Sequence, residues 1–130
     1  MNQTAKWVIV AIVVVAVAWF GYSALKNSSR ESSTGPIKIG FIGPLTGDAS
    51  SIGTVNRAAV ELAAEEVNAA GGVNGRNLEV IYEDGQCNAK AAVNAANKLI
   101  NVDKVPVIIG GLCSSETAAF GPAAMESKVI

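Results

Sequence analysis

The sequence predicts an α/β fold, a doubly wound parallel sheet, on three observations. Short β-branched runs alternate with longer segments whose apolar residues recur every three or four positions. Each run ends in a glycine-bearing turn. The third run, residues 105–109, is apolar at nearly every position, as a parallel strand buried on both faces should be. Strand followed by helix, three times over and into a fourth strand, requires crossover connections and therefore a parallel sheet.

Residues 37–42 read as the first strand, broken by Gly43-Pro44, and a loop rich in Gly, Thr, Asp and Ser runs to Gly53. Residues 55–69 follow as an amphipathic helix with a stripe of Ala58, Ala59, Leu62, Ala63 and Val67, ended by Ala70-Gly71-Gly72. The turn 73–76 leads to a second strand, 78–83, which Asp84-Gly85 terminates. A second helix over 88–100 carries Ala92, Val93, Ala96, Leu99 and Ile100 on one face, and its small alanines let it lie close to a sheet. After the third strand and Gly110-Gly111 comes a third helix over 114–127, which Phe120-Gly121-Pro122 is expected to interrupt. Val129-Ile130 begins a fourth strand, so residues 37–130 are expected to be a partial sheet from the N-terminal part of a longer protein.

Ahead of this domain, residues 7–25 contain no charged side chain and as a helix would reach about 28 Å, close to a bilayer's hydrocarbon core. A cleaved secretory signal and a retained anchor are the two readings. Cleavage after Ala16-Val17-Ala18 would leave a greasy terminus beginning at Trp19 and shorten the apolar core to about nine residues, so a retained anchor is expected. The division is then a cytoplasmic N-terminus, 1–6, a transmembrane or signal segment, 7–25, a polar linker, 26–36, and the folded lobe, 37–130, outside the cell membrane. Basic residues flank the apolar run on both sides, so the positive-inside rule does not set its orientation.

Of the ten basic and eleven acidic residues, Lys6, Lys26, Arg30 and Glu31 precede residue 37, leaving seven against ten, a net charge of minus three with no basic cluster. Nucleic acid is not an expected partner. Histidine is absent, which removes Ser-His and Cys-His nucleophilic pairs and the commonest metal ligand. Neither a GxGxxG nor a GxxxxGK[ST] loop is present, and Glu83-Asp84 is too sparse for a calcium loop, so no enzyme, cofactor or metal site is expected.

Binding in an open α/β sheet occurs beyond the carboxyl ends of the strands. Of the three loops there, the one after strand three combines Gly110 and Gly111, which permit close backbone approach, with Ser114 and Ser115 beside free helix amides: an anion site in outline, or ordinary serine capping. Thr46 and Asp48 read as turn residues. Cys87 and Cys113 lie in the loops after strands two and three, where a disulfide and a reactive thiol are the alternatives.

The segments IKIGFIGPLTG, EVNAAGGVNGR, LEVIYEDGQCNAKAAVNAANKLI and VIIGGLCSSETAAFGPAA together resemble the N-terminal lobe of type I periplasmic binding proteins, nearest the leucine/isoleucine/valine-binding proteins of branched-chain amino acid ABC transporters. The resemblance spans residues 37–130. It implies a disulfide between Cys87 and Cys113, an amino-acid α-carboxylate bound by Ser114, and Leu112 and Cys113 lining the same pocket. The strand-one loop of that family often supplies an aromatic residue where this chain has Ile52, so a changed pocket wall is expected. The implied function is capture of a small amino acid between two lobes for ABC permease subunits in the membrane. A membrane-anchored sensor ectodomain of the same fold is the alternative.

Overall fold

The computed structural model describes residues 35–130. The expected N-terminus at 1–6, the anchor at 7–25 and the linker up to residue 34 lie outside the described residues. Among the described residues, no helix is long and apolar enough to cross a membrane. The elements in order are β1 (Ile37–Gly43), α1 (Ser50–Ala69), β2 (Leu78–Asp84), α2 (Ala89–Lys98), a π-helical turn (Leu99–Asp103), β3 (Ile108–Gly110) and α3 (Ser114–Glu126).

The strands form a parallel sheet in the order β2-β1-β3, with Phe41 opposite Tyr82 on one side and Ile109 on the other. Because side chains alternate along a strand, this register sends Gly40 and Ile42 to one face and Phe41 to the other. On the first face Ile42 packs with Ala92, Ala95, Ala96, Leu99, Ile100 and Val105, and with Phe120 and Ala124 of α3, with Ile81, Ile108 and Val129 against them. The alanines permit close approach: a Cβ placed on Gly40 would stand 2.7 Å from Leu99 Cδ1. On the opposite face Phe41 meets Tyr82 at 5.5 Å between ring centroids, and Arg57 of α1 lies 4.6 Å over the Tyr82 ring.

Several expectations are corrected. Helix α1 begins at Ser50 rather than at residue 55, so Ile52 belongs to its first turn and not to the loop. The early start requires glycine at position 53, where a Cβ would stand only 1.9 Å from the carbonyl oxygen of Pro44. The sheet-facing side of α1 also differs: Gly53, Asn56, Val60, Ala64, Val67 and Asn68 are turned inward, while Ala58, Ala59 and Ala63 are exposed and Leu62 is 58 % exposed. Polar and backbone contacts set that rotation. Asn68 receives the Leu78 amide on Oδ1 at 2.7 Å and donates Nδ2 to the Leu78 carbonyl at 3.0 Å, fastening the end of α1 to the start of β2.

The second helix narrows to α2 because Asn88 caps it, its side chain accepting from Lys90 N and Ala91 N, and because the chain widens into the π turn before Lys104 takes a left-handed conformation. β3 is shorter than the run 105–109 and shifted toward its end, since Pro106 has no amide to give the ladder. Pro122 does not interrupt α3, which continues to Glu126. Proline removes one amide donor there, and its exposed position leaves the unpaired carbonyl open to water. Ile130 exchanges bonds with the chain beside β3, Ile108 N to Ile130 O at 2.7 Å and Ile130 N to Pro106 O at 3.2 Å, as a further parallel strand would begin. At the sheet's other end Arg76 donates to the carbonyls of Gly35 and Pro36, holding the chain as it enters β1.

Candidate functional site

β1 is flanked by β2 and β3, so the crossover out of β1 runs to one side, the crossover out of β2 runs back past β1 to the other, and the order reverses where β1 and β3 end. The β3–α3 loop closes tightly on β1 there. Gly111 donates its amide to Ile42 O at 2.9 Å, and Gly110, at φ 128°, leaves room that a Cβ would fill, 1.9 Å from that same oxygen. Leu112 follows, 38 % exposed, and a Cβ on Gly43 would meet its Cδ1 at 3.2 Å. The expected pocket residue Leu112 therefore stands at the end of β1.

The helix start separates the two serines. Cys113, not a serine, occupies the cap position, so serine capping is not what happens. Ser115 donates its hydroxyl to Cys87 O at 3.1 Å and is spent on holding the β2–α2 loop. Ser114 is exposed, and among the described residues neither its hydroxyl nor the amides of Ser114 and Ser115 have a partner. The Cys113 amide is engaged, donating to Glu116 Oε2 at 3.1 Å. An acceptor-rich anion arriving here finds one hydroxyl and two oriented amides at the positive end of a 13-residue helix.

Cys87 and Cys113 are joined in a disulfide, with 5.3 Å between their Cα atoms, and no cysteine is free. That bond links the β2–α2 and β3–α3 loops. A second tie runs from the other side, where Asp84 Oδ1 accepts the amides of Leu45 at 2.8 Å, Gln86 at 3.0 Å and Thr46 at 3.3 Å, and Oδ2 accepts the Thr46 hydroxyl. Burial by itself would raise the Asp84 carboxyl, but the Thr46 hydroxyl and the three amides outweigh it and hold it below the usual carboxylate range. Thr46 is thus a structural turn residue, as its sequence context predicts. Neighbouring Glu83 pairs with Lys98, which Asp103 also contacts at 3.3 Å. Among the described residues no cluster of metal-binding side chains forms.

Ile52, 59 % exposed in the first turn of α1, stands on the element that follows β1. A recess of about 230 Å³ along α1 is lined by Leu45, Thr54, Arg57, Ala58 and Glu61 and holds none of the residues expected to bind ligand. Sequence reasoning missed Asp84 and Glu116. Glu116 had a findable signal, because a glutamate three residues after a helix cap is placed to accept the cap's own amide.

Residues 36–130 match the family model described as periplasmic binding protein. The leucine-, isoleucine-, valine-, threonine-, and alanine-binding protein of Pseudomonas aeruginosa is 42 % identical over 90 residues, 69 % of this chain and 24 % of that protein. The branched-chain amino acid transporter substrate binding protein of Streptococcus pneumoniae, solved with isoleucine, superposes with a TM-score of 0.68 at 33 % identity, covering 71 % of this chain and 26 % of that one. A solute binding protein of an ABC transporter from Rhodopseudomonas palustris, solved with 3,4-dihydroxy benzoic acid, does so with a TM-score of 0.66 at 32 % identity, over 72 % and 25 %. The chain spans about a quarter of the length of such relatives.

Proposed function

Because this chain belongs to the type I periplasmic binding protein family, we propose that it supplies the capturing wall of an extracytoplasmic solute-binding component for an ABC transporter of branched-chain or related small amino acids. One observation carries this reading: the unpartnered Ser114 hydroxyl lies beside the unpartnered amides of Ser114 and Ser115, at the crevice where β1 and β3 end. That set recognises a carboxylate. Isoleucine and 3,4-dihydroxy benzoic acid, found with two of the similar proteins, share this group and little else. The rest of the ligand is then read by other surfaces, Leu112 and Ile52 among them, and by a second lobe closing over it. No bond is made or broken. The ligand is held, and the closed form is offered to the permease.

The test is calorimetry of the full-length protein with leucine, isoleucine, valine and polar analogues, parent against Ser114→Ala. A hydrogen bond to a charged partner contributes roughly 1.5 to 3 kcal/mol, so the substitution is expected to raise Kd about tenfold to a hundredfold without lowering the folded fraction. Equal binding by both proteins would refute the carboxylate assignment. The same reading keeps residues 7–25 as an anchor with the domain outside the membrane. Mass analysis of the mature N-terminus checks this, and Trp19 as first residue would overturn it.

A further inference from the structure

Glu116 is a carboxylate with no exposed surface, and nothing in ligand capture as described uses it. Its two oxygens divide between the two loops that the disulfide joins. Oε1 accepts the Cys87 amide and Oε2 the Cys113 amide, each at 3.1 Å. Space for it comes from Gly85, where a Cβ would stand 2.1 Å from Oε1 and 3.0 Å from Ile42 Cγ2. The loop it holds is a demanding one. Gln86 and Cys87 both have positive φ, 53° and 54°, a conformation that side chains other than glycine adopt only when the surroundings impose it.

A disulfide limits the distance between two Cα atoms but leaves each peptide plane free to tilt. A buried carboxylate bonded to both amides sets the planes themselves, and charge-assisted bonds of this kind are about twice as strong as neutral ones. One further effect bears on ligand choice: Glu116 takes the Cys113 amide out of play, so the first groups open to a ligand are the amides of Ser114 and Ser115 and the Ser114 hydroxyl.

We propose that Glu116 is a positioning residue for the ligand site, its carboxylate holding the Cys87 and Cys113 peptide planes so that the start of α3 presents Ser114 and its neighbouring amides to the ligand's carboxylate. This rests on the carboxylate-binding reading of Ser114. Neighbouring groups support the same arrangement: the Ser115 hydroxyl on Cys87 O and Asp84 on the Gln86 amide fix the strained turn from two other directions.

The experiment is a double-mutant cycle in the full-length protein, Glu116→Gln with Ser114→Ala, read by isoleucine calorimetry at a temperature where circular dichroism shows every variant folded. Gln keeps one acceptor and turns an NH2 toward the other amide, so Glu116→Gln is expected to raise the isoleucine Kd about tenfold with Ser114 present and less than threefold with alanine there. Glu116→Asp, too short to reach both amides, should behave like Gln. A lowered Tm with Kd unchanged, or the same fold-change in both backgrounds, means a merely structural role and overturns the inference. Should Ser114→Ala by itself leave Kd unchanged, the functional reading fails separately, and Glu116→Gln is judged alone: a tenfold loss sustains positioning of the amides, no loss overturns it. Hydrogen exchange on unmutated protein covers the case of a variant that does not fold. Isoleucine should then slow exchange of the Cys87 amide, which reaches the site through Glu116, and an unchanged rate there, or a parent that binds no amino acid and whose Cys87 and Cys113 amides exchange as freely as loop amides, overturns the inference.

Discussion

Replacing both Cys87 and Cys113 with serine removes the one covalent tie between the two loops that frame the site. The bond closes a loop of 26 residues. In the chain-entropy model that closure removes about 12 cal/mol/K from the denatured ensemble, or about 3.5 kcal/mol at 25 °C. On the native side the loops stay together in the double-serine protein, since the Glu116 bonds to Cys87 N and Cys113 N are made to the backbone. The expected loss is therefore about 2 to 3.5 kcal/mol, with ligand affinity changed far less than stability. Urea unfolding followed by far-ultraviolet circular dichroism is the assay, because residues 37–130 contain no tryptophan. The urea m-value should rise in the double-serine protein, whose denatured chain expands further. A loss below about 1 kcal/mol with m unchanged would refute the reasoning, and non-reducing peptide mapping of the parent would then show whether the bond exists outside the cell.

Leu99, fully buried against Gly40, should cost about 3 kcal/mol when cut to alanine, and Gly40→Ala about 1 to 3 kcal/mol by overpacking. Made together, the two changes should cost clearly less than their sum, and additive urea midpoints would show that the two residues do not share a volume. Asp84→Asn weakens the clamp on Leu45, Thr46 and Gln86 by about 1 to 2 kcal/mol at neutral pH. Since the folded carboxyl is held below its unfolded value near 3.9, its contribution is complete above that value and disappears as pH falls through the lower, folded one. The stability gap between parent and Asp84→Asn should be flat from pH 7 to about 5 and shrink as pH falls below the unfolded value; a gap that stays the same across the acid range would show that charge has no part in the clamp.

The strands and the alternation of elements were legible because a sheet strand leaves a β-branched run ended by glycine, and a helix against a sheet leaves a three-and-four repeat; burial of the third strand on both faces was not met, since Ile109 is 40 % exposed. Helix α1 shows where that reasoning stops. Its apolar periodicity was real, but Leu62 and Ala59 lie on the outer side, because the close approach at Gly53 and the two bonds of Asn68 rotate the helix regardless of which residues are most apolar. Ile52 was misplaced for the same reason, lying in a helix that starts before its apolar repeat does. At the proposed site, the glycine-ended strand marked Ser114 and Ser115 alike, as an anion site or as caps, and the division of labour between them was not legible. Only the position of Cys87 O, in a loop 28 residues earlier, decides that Ser115 is occupied.

By itself the sequence determined the parallel alternation, a lone pair of cysteines in strand-end loops, and a charge-free segment long enough for a membrane. These are consequences of local composition and spacing, which burial and solvent impose on each stretch separately. The tertiary structure alone decided what Asp84 and Glu116 reach beyond their own turns. Their partners lie 39 and 29 residues away, Leu45 for one and Cys87 for the other. No periodicity encodes such a pairing: it exists only once the sheet has brought three strand ends together, where the two carboxylates satisfy amides that the turns leave unpaired.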